Sequence, residues 1–335
     1  FSTDFLRDKA DLAWGRGKTK VAIEAALDLG KVCAGTQQED ICELELELRE
    51  GEPAALLELA IELAANLPLM PCDISKAERG YRLFDAASYS LSLPAPDLLP
   101  EQSLDDAFAA LAWHLLGSSQ RLAEQYRFNG HWKLLEQWLQ QLTDLRALLS
   151  SLGQAAPRAS SHLLREALDA LLKDWRPLLQ AGQQDAQRRQ DAPARFAEEL
   201  GNTRWGHFSL QASLWLLQRH WVSTRNERGS RQGQAPIGKW LPRLLAAEAA
   251  DLPLKRYQQQ PEDLAEQLPR IERLLAWLRH ARQLSALAEV DRLYGELLKL
   301  EELAHQPINA EQLAARAMQA HTVTTLRAWR QLSRS

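Results

Sequence analysis

Apolar and polar positions alternate with a period of two near the start of the chain and with a helical period over most of the rest. The clearest alternation lies in ICELELEL (41–48). There Glu43, Glu45 and Glu47 fall on one side of an extended chain and Leu44, Leu46 and Leu48 on the other. The preceding segment KTKVAIEAAL (18–27) sets Val21 and Ile23 against Lys18, Lys20 and Glu24, with Asp28 in the phase of Glu24. A turn is predicted at Asp28-Leu29-Gly30, followed by a short run through Val32, so residues 1–50 read as strands. After Gly51-Glu52-Pro53 the period lengthens. Residues 54–66 are apolar at helical spacing, with Pro53 placed to suit a first turn.

From residue 100 onward Leu, Ala, Gln, Glu and Arg dominate, and these are strong helix formers. Helices are predicted over 100–127, 131–152, 158–181, 190–224, 236–250, 262–280, 282–304 and 309–332. Glycine and proline clusters supply the breaks. The stretch SLSLPAPDLLP (90–100) carries three prolines and reads as a linker. STRNERGSRQGQ (223–234) is polar, basic and glycine-containing, which predicts a mobile loop. Ten of the 11 tryptophans fall in the helical part, where packing accounts for them better than ligand stacking. The fold class expected is α+β with helix dominating.

Composition narrows the function. The chain has 335 residues, room for about two domains, and a net charge of −4, which is not that of a strongly basic nucleic-acid binder. No nucleic-acid partner is expected. Three irregularly spaced cysteines fit reduced thiols rather than a disulfide framework or a CxxC zinc site. No apolar run is long enough to span a membrane and no signal-peptide pattern opens the chain, so a cytoplasmic location is expected. The first residue is Phe1 rather than Met, which reads as a fragment. GRGK (15–18) lacks the spacing of a phosphate loop, and no GxSxG motif or Cys/His dyad is evident.

The chemistry-bearing feature is the acidic run. Same-face neighbours on a strand lie about 6.8 Å apart. Three successive carboxylates on one face repel each other and are tolerable only in water or around a cation. The adjacent strand adds Lys18, Lys20, Glu24 and Asp28 on its own charged face. Such a mixture suits a charged barrel lumen that binds hard cations through oxygen and phosphates through Lys and Arg. A solvated sheet face is the alternative. In the helical part, Arg158, His162 and Arg165 cluster near a predicted helix start. They read as an anion site or as a solvated capping cluster. The eight histidines show neither HExxH nor a His pair at i,i+4 and read as structural.

Four segments occur in order at fitting spacing: FLRDK (5–9), IEAALDLG (23–30), ICELELELREG (41–51) and SKAERGY (75–81). Together they resemble the C-terminal half of a CYTH domain, the triphosphate tunnel metalloenzyme fold. That family covers inorganic and thiamine triphosphatases and class IV adenylyl cyclases. The arrangement as a whole resembles bacterial CYTH–CHAD inorganic triphosphatases, often labelled adenylate cyclase. The resemblance implies a partial antiparallel β-barrel over residues 1–88, a linker over 89–100 and an all-α CHAD-like bundle over 101–335. It implies hydrolysis of inorganic triphosphate with Mg2+ or Mn2+. Glu43 and Glu45 would bind metal or orient its water, Glu24 and Asp28 would join the metal-binding group, and Arg7, Lys9, Lys76 and Arg79 would contact phosphates.

The family's opening E-x-E-x-K strand is absent, so this chain is expected to be inactive alone and the activity to belong to the intact parent. The CHAD signature is degenerate: Glu136 and Gln267 stand where histidines are usual, and Leu139 and Leu274 where basic residues are. The alternative is therefore a non-enzymatic helical module that binds polyphosphate or a protein. Cyclic-nucleotide synthesis lacks any sign of base recognition. An open barrel edge favours pairing, including as a homo-oligomer.

Overall fold

The computed structural model describes residues 1–15, 20–86, 91, 94–153, 155–285 and 287–333. Lys18, the rest of the 16–19 segment, and residues 89, 90, 92 and 93 of the expected linker lie outside them. Three strands, β1 (Ser2–Trp14), β2 (Val21–Ala34) and β3 (Gln37–Glu50), form an antiparallel sheet in the order β1-β2-β3. Side chains alternate across a strand, so register decides what meets. Arg7 lies opposite Asp28 and Asp28 opposite Glu43. Lys9 lies opposite Ala26 and Ala26 opposite Glu45. Asp11 lies opposite Glu24 and Glu24 opposite Glu47. Arg7, Lys9, Asp11, Glu24, Asp28, Glu43, Glu45 and Glu47 thus share one face, while Asp4, Asp8, Lys31 and Asp40 fall on the other.

The predicted turn at Asp28-Leu29-Gly30 is instead mid-strand, paired with Arg7, Leu6 and Phe5 on one side and with Glu43, Cys42 and Ile41 on the other. The reversal comes at Gly35-Thr36, where Gly35 has φ +60°. Gly30 serves close approach: a Cβ there would lie 2.1 Å from the Asp4 carbonyl oxygen. Local turn signals misled because this glycine answers to a neighbouring strand.

The opposite, apolar face is covered only in part. Helix α1 (Ala54–Ala64) sets Ala55 and Leu59 against Val21 and Ile23, with Trp14, Leu46 and Leu48 packed around them. Beyond the reach of α1, Leu6 is 79% exposed, and Leu27, Leu29 and Leu44 are also exposed. The leucine side of the alternation in 41–48 is therefore buried only along part of its length. Helix α2 (Lys76–Phe84) starts at Ser75, whose hydroxyl accepts from the Glu78 amide.

The remaining described elements are helical. They are α3 (Leu104–Asn129), α4 (Trp132–Ser151), α5 (His162–Gln184), α6 (Ala192–Leu200), α7 (Arg204–Leu217), α8 (His220–Ser223), α9 (Glu227–Gly233) and α10 (Ile237–Ala250). They continue with α11 (Leu254–Tyr257), α12 (Leu268–Ala281), α13 (Val290–His305), α14 (Ala310–Thr325) and α15 (Arg327–Leu332). The helix expected over 190–224 is three helices, the last entered through Arg219 at φ 46°. The loop expected over 223–234 contains helix α9, capped by Asn226 and with Gly229 and Gly233 buried. Gly233 lies against the Asp105–Arg225 ion pair, so tertiary packing overrides the low helical preference of glycine.

Two compact units emerge, neither continuous in sequence. The first comprises residues 1–93, 116–138 and 185–218, and the second 94–115, 139–184 and 219–335. The first contains the sheet, α1 and α2, with α1 packed on α7. Its helical core joins Trp138 edge-on to Phe196 and Trp205. In the second, Trp175, Trp221 and Trp277 are fully buried, and Phe108 meets Trp221 edge-on. Trp113 is an exception to tryptophan as core, at 40% exposure.

Candidate functional site

The site is the charged face of the sheet with α2 laid over one end of it. Three carboxylates converge. Asp28 of β2 and Glu43 and Glu45 of β3 each offer an oxygen within 4.8 Å of the others. Asp28 is wholly buried, Glu43 less so, and Glu45 is exposed. The i, i+2 spacing of Glu43 and Glu45 puts both on one face, and the β2–β3 register brings Asp28 opposite Glu43.

Cations from β1 and α2 answer this charge. Arg7 donates from Nε to Asp28 Oδ1 at 2.6 Å and from Nη2 to Asp28 Oδ2 at 2.5 Å, a two-pronged pair, and reaches Glu45 Oε2 at 2.7 Å. Lys76 Nζ stands among all three carboxylates, 2.8 Å from Asp28, 2.5 Å from Glu43 and 2.6 Å from Glu45. Arg79, almost fully buried, pairs with Glu43 and lies 3.0 Å from Glu39. The Arg7 guanidinium, and after it the Lys76 ammonium, hold the Asp28 carboxyl down to about 2 against the opposing effect of burial. Burial alone would lower Lys76, yet its hydrogen bonds to Asp28, Glu43 and Glu45 leave it more firmly protonated than an ordinary lysine.

Lys9 and Glu24 form a separate centre. Glu24 accepts from Lys9 at 2.8 Å and from Arg49 at 2.5 Å, and these bonds hold it down to about 2. Glu24 lies four residues from Asp28 along β2, about 13 Å at strand rise. The structure therefore brings Arg7, Asp28, Glu43, Glu45, Lys76 and Arg79 together and leaves Glu24 two same-face steps from Asp28 and Lys9 one such step from Arg7.

Three participants escaped the sequence reading. Arg82, fully buried, pairs with Glu39 at 2.7 Å, donates to Gln125 at 2.7 Å and lies 4.0 Å over the Phe128 ring. Arg49 clamps Glu24 and Glu47. The signal for Arg82 was available: Lys76, Arg79 and Arg82 recur every third residue, which stacks them on one side of a short helix. Glu39 gave less warning, because Ile41 stands between it and Glu43 on the same face and breaks the acidic alternation.

An all-oxygen set of three carboxylates, one buried and one open to solvent, fits a hard divalent cation. The neighbouring arginines and lysine fit a polyanion. The face as a whole is equipped to bind a negatively charged ligand together with a cation. Residues 1–81 match the CYTH domain. An inorganic triphosphatase of Haemophilus influenzae is 36% identical over 83 residues, which is 25% of this chain and 22% of that protein. The chain thus spans about a fifth of the length of this curated relative. No helix among the described residues is long and apolar enough to cross a membrane.

Proposed function

We propose that residues 1–88 contribute to a charged tunnel that, in the intact protein, binds inorganic triphosphate with Mg2+ or Mn2+ and hydrolyses a phosphoanhydride bond. The observation that carries the reading is Lys76 held among Asp28, Glu43 and Glu45 with Arg7 alongside. A divalent cation held by those three carboxylates supplies charge neutralisation and activation of water. Arg7, Lys76 and Arg79 bind the phosphate oxygens and fix the chain of three phosphates along the face, with Lys9 extending the cationic track. Water adds to a terminal phosphorus, the bridging P–O bond breaks, and pyrophosphate leaves with the electron pair. Glu45, the most exposed of the three carboxylates, takes the water's proton. Residues 101–335 serve as a CHAD-like helical scaffold.

One observation favours a second reading. Each carboxylate of the trio already touches a cation of this chain, so the face is neutralised without a ligand. On that reading the sheet is a non-catalytic remnant and the protein binds polyphosphate or a partner.

Phosphate release from tripolyphosphate with Mg2+ or Mn2+ separates the two. The full chain is compared with a version completed by an N-terminal segment bearing E-x-E-x-K. Activity in the completed protein, lost about 100-fold or more in Glu43→Gln and Glu45→Gln, is the expected result. No release from either form, with no rise in thermal stability on adding triphosphate, would overturn the enzyme reading.

A further inference from the structure

A second group of metal-ligating side chains lies in the helical part, remote in sequence from the charged sheet. Glu301 and His305 sit four residues apart on α13, hence on one helix face. Glu272 lies on α12, which packs against α13. Each of the three offers a donor atom within 4.8 Å of the others. We propose that Glu272, Glu301 and His305 form a site for a divalent transition-metal ion that joins α12 to α13.

The partners of these residues leave donor atoms available. Arg176 Nη2 donates to Oε1 of Glu272 at 2.7 Å, and Oε2 has no hydrogen-bond partner among the described residues. The Gln180 side-chain nitrogen lies 3.0 Å from Nδ1 of His305, and Nε2 has no hydrogen-bond partner among the described residues. Ligation through Nε2 takes the Gln180 amide turned so that its oxygen accepts from Nδ1–H, the usual support of a ligating histidine. Glu301 is half-buried and has neither a hydrogen bond nor an ion pair among the described residues. Nearby Asp144 is already engaged by Arg279 and His280.

A metal with bonds of about 2.1 Å holds tetrahedral donors about 3.4 Å apart, so modest side-chain adjustment closes the set. One imidazole with two carboxylates favours Zn2+, Co2+, Mn2+ or Fe2+ over Mg2+ and Ca2+. Three protein donors leave at least one coordination position to water.

The test uses the full chain stripped of metal with a chelator, then titrated with Zn2+ or Co2+. Thermal stability and the visible spectrum of bound Co2+ are followed. The expected result is a rise in Tm with Zn2+ at concentrations where Mg2+ has no effect, and a Co2+ spectrum of mixed nitrogen and oxygen ligation. Glu301→Gln and His305→Gln are expected to weaken Zn2+ binding at least tenfold, measured in a Glu43→Gln background so that the carboxylate trio on the sheet does not contribute. Glu301→Gln replaces a half-buried carboxylate that makes no hydrogen bond or ion pair among the described residues, so it is expected to fold even if His305→Gln does not. Three outcomes overturn the proposal: no Zn2+ binding, binding unchanged in Glu301→Gln, or a Co2+ spectrum with a thiolate charge-transfer band, since the site holds no cysteine.

Discussion

Asp28 and Glu24 are both acidic residues of β2, four positions apart on the same face, and their neighbours give them different tasks. Asp28 is wholly buried beneath Arg7 and Lys76, whereas Glu24 is bound by Lys9 and Arg49 at a more open part of the face. The Glu24 pairing has a consequence that pH titration reads. Its hydrogen bonds to Lys9 and then Arg49 hold it at about 2 in the folded protein, below its ordinary 4.5. A depressed carboxylate contributes stability that is fully present above the unfolded value and is lost as pH falls through the folded one. Unfolding followed by circular dichroism is therefore expected to show an acid limb between about pH 4.5 and 2, shallower in Glu24→Gln than in the parent. An unchanged limb in the variant would show that this pairing adds nothing to folding. The role of Asp28 was visible in the sequence only as a phase relation to Glu24. Which of the two meets Glu43 is settled by strand register, which no single strand contains.

At the scale of elements, β1 and β2 approach so closely at Gly30 that a Cβ would also lie 2.4 Å from the Phe5 Cα. That pair sits one same-face step from Arg7 and Asp28. Gly30→Ala must push β1 outward, a strain of about 1–3 kcal/mol by the scale of overpacked cores. A lowered Tm and, in the completed protein, reduced triphosphate hydrolysis are expected together, because the displaced strand carries Arg7. A variant as stable as the parent would show that the strands separate without cost. Helix α2 was not read as a helix from the sequence, although Ser75 and Glu78 carry the pattern of a capping box at its start. Its placement over the acidic face was not legible either. That placement depends on Leu83 burying itself with Val32, Ala34 and Ile41, contacts far apart in sequence. Helix α9 shows the converse limit, since its glycines argue for a loop until Asp105 and Arg225 are seen to pack on one of them.

For the whole molecule, the exposed leucines of the sheet are the feature with a solution consequence. Leu6, Leu27, Leu29 and Leu44 lie on neighbouring strands of the same face, and β1 and β3 each present an outer edge within the three-stranded order. Exposed apolar sheet surface beside unpaired strand edges promotes association. Sedimentation velocity is expected to show concentration-dependent self-association, reduced when Leu6 and Leu44 are both replaced by lysine. A monomer at all concentrations, for parent and variant alike, would remove that reading and with it the expectation of a homo-oligomer.

By itself the sequence determined the strand-then-helix order, the charged phase of β3 and the predominance of helix. These follow from periodicity and propensity, which act over a few residues. Only the tertiary structure decided that Arg7, Asp28, Glu43, Glu45 and Lys76 form one cluster while Glu24 and Lys9 form another. It also decided where α1 stops covering the leucines, and that Glu272 lies beside Glu301 and His305. The search for paired histidines passed over the last group, because a glutamate four residues before a histidine is commonplace on helices. Its meaning comes from burial and from a residue on another helix. Burial, register and long-range charge balance are sums over distant parts of the chain, and they take definite values only once the chain has folded.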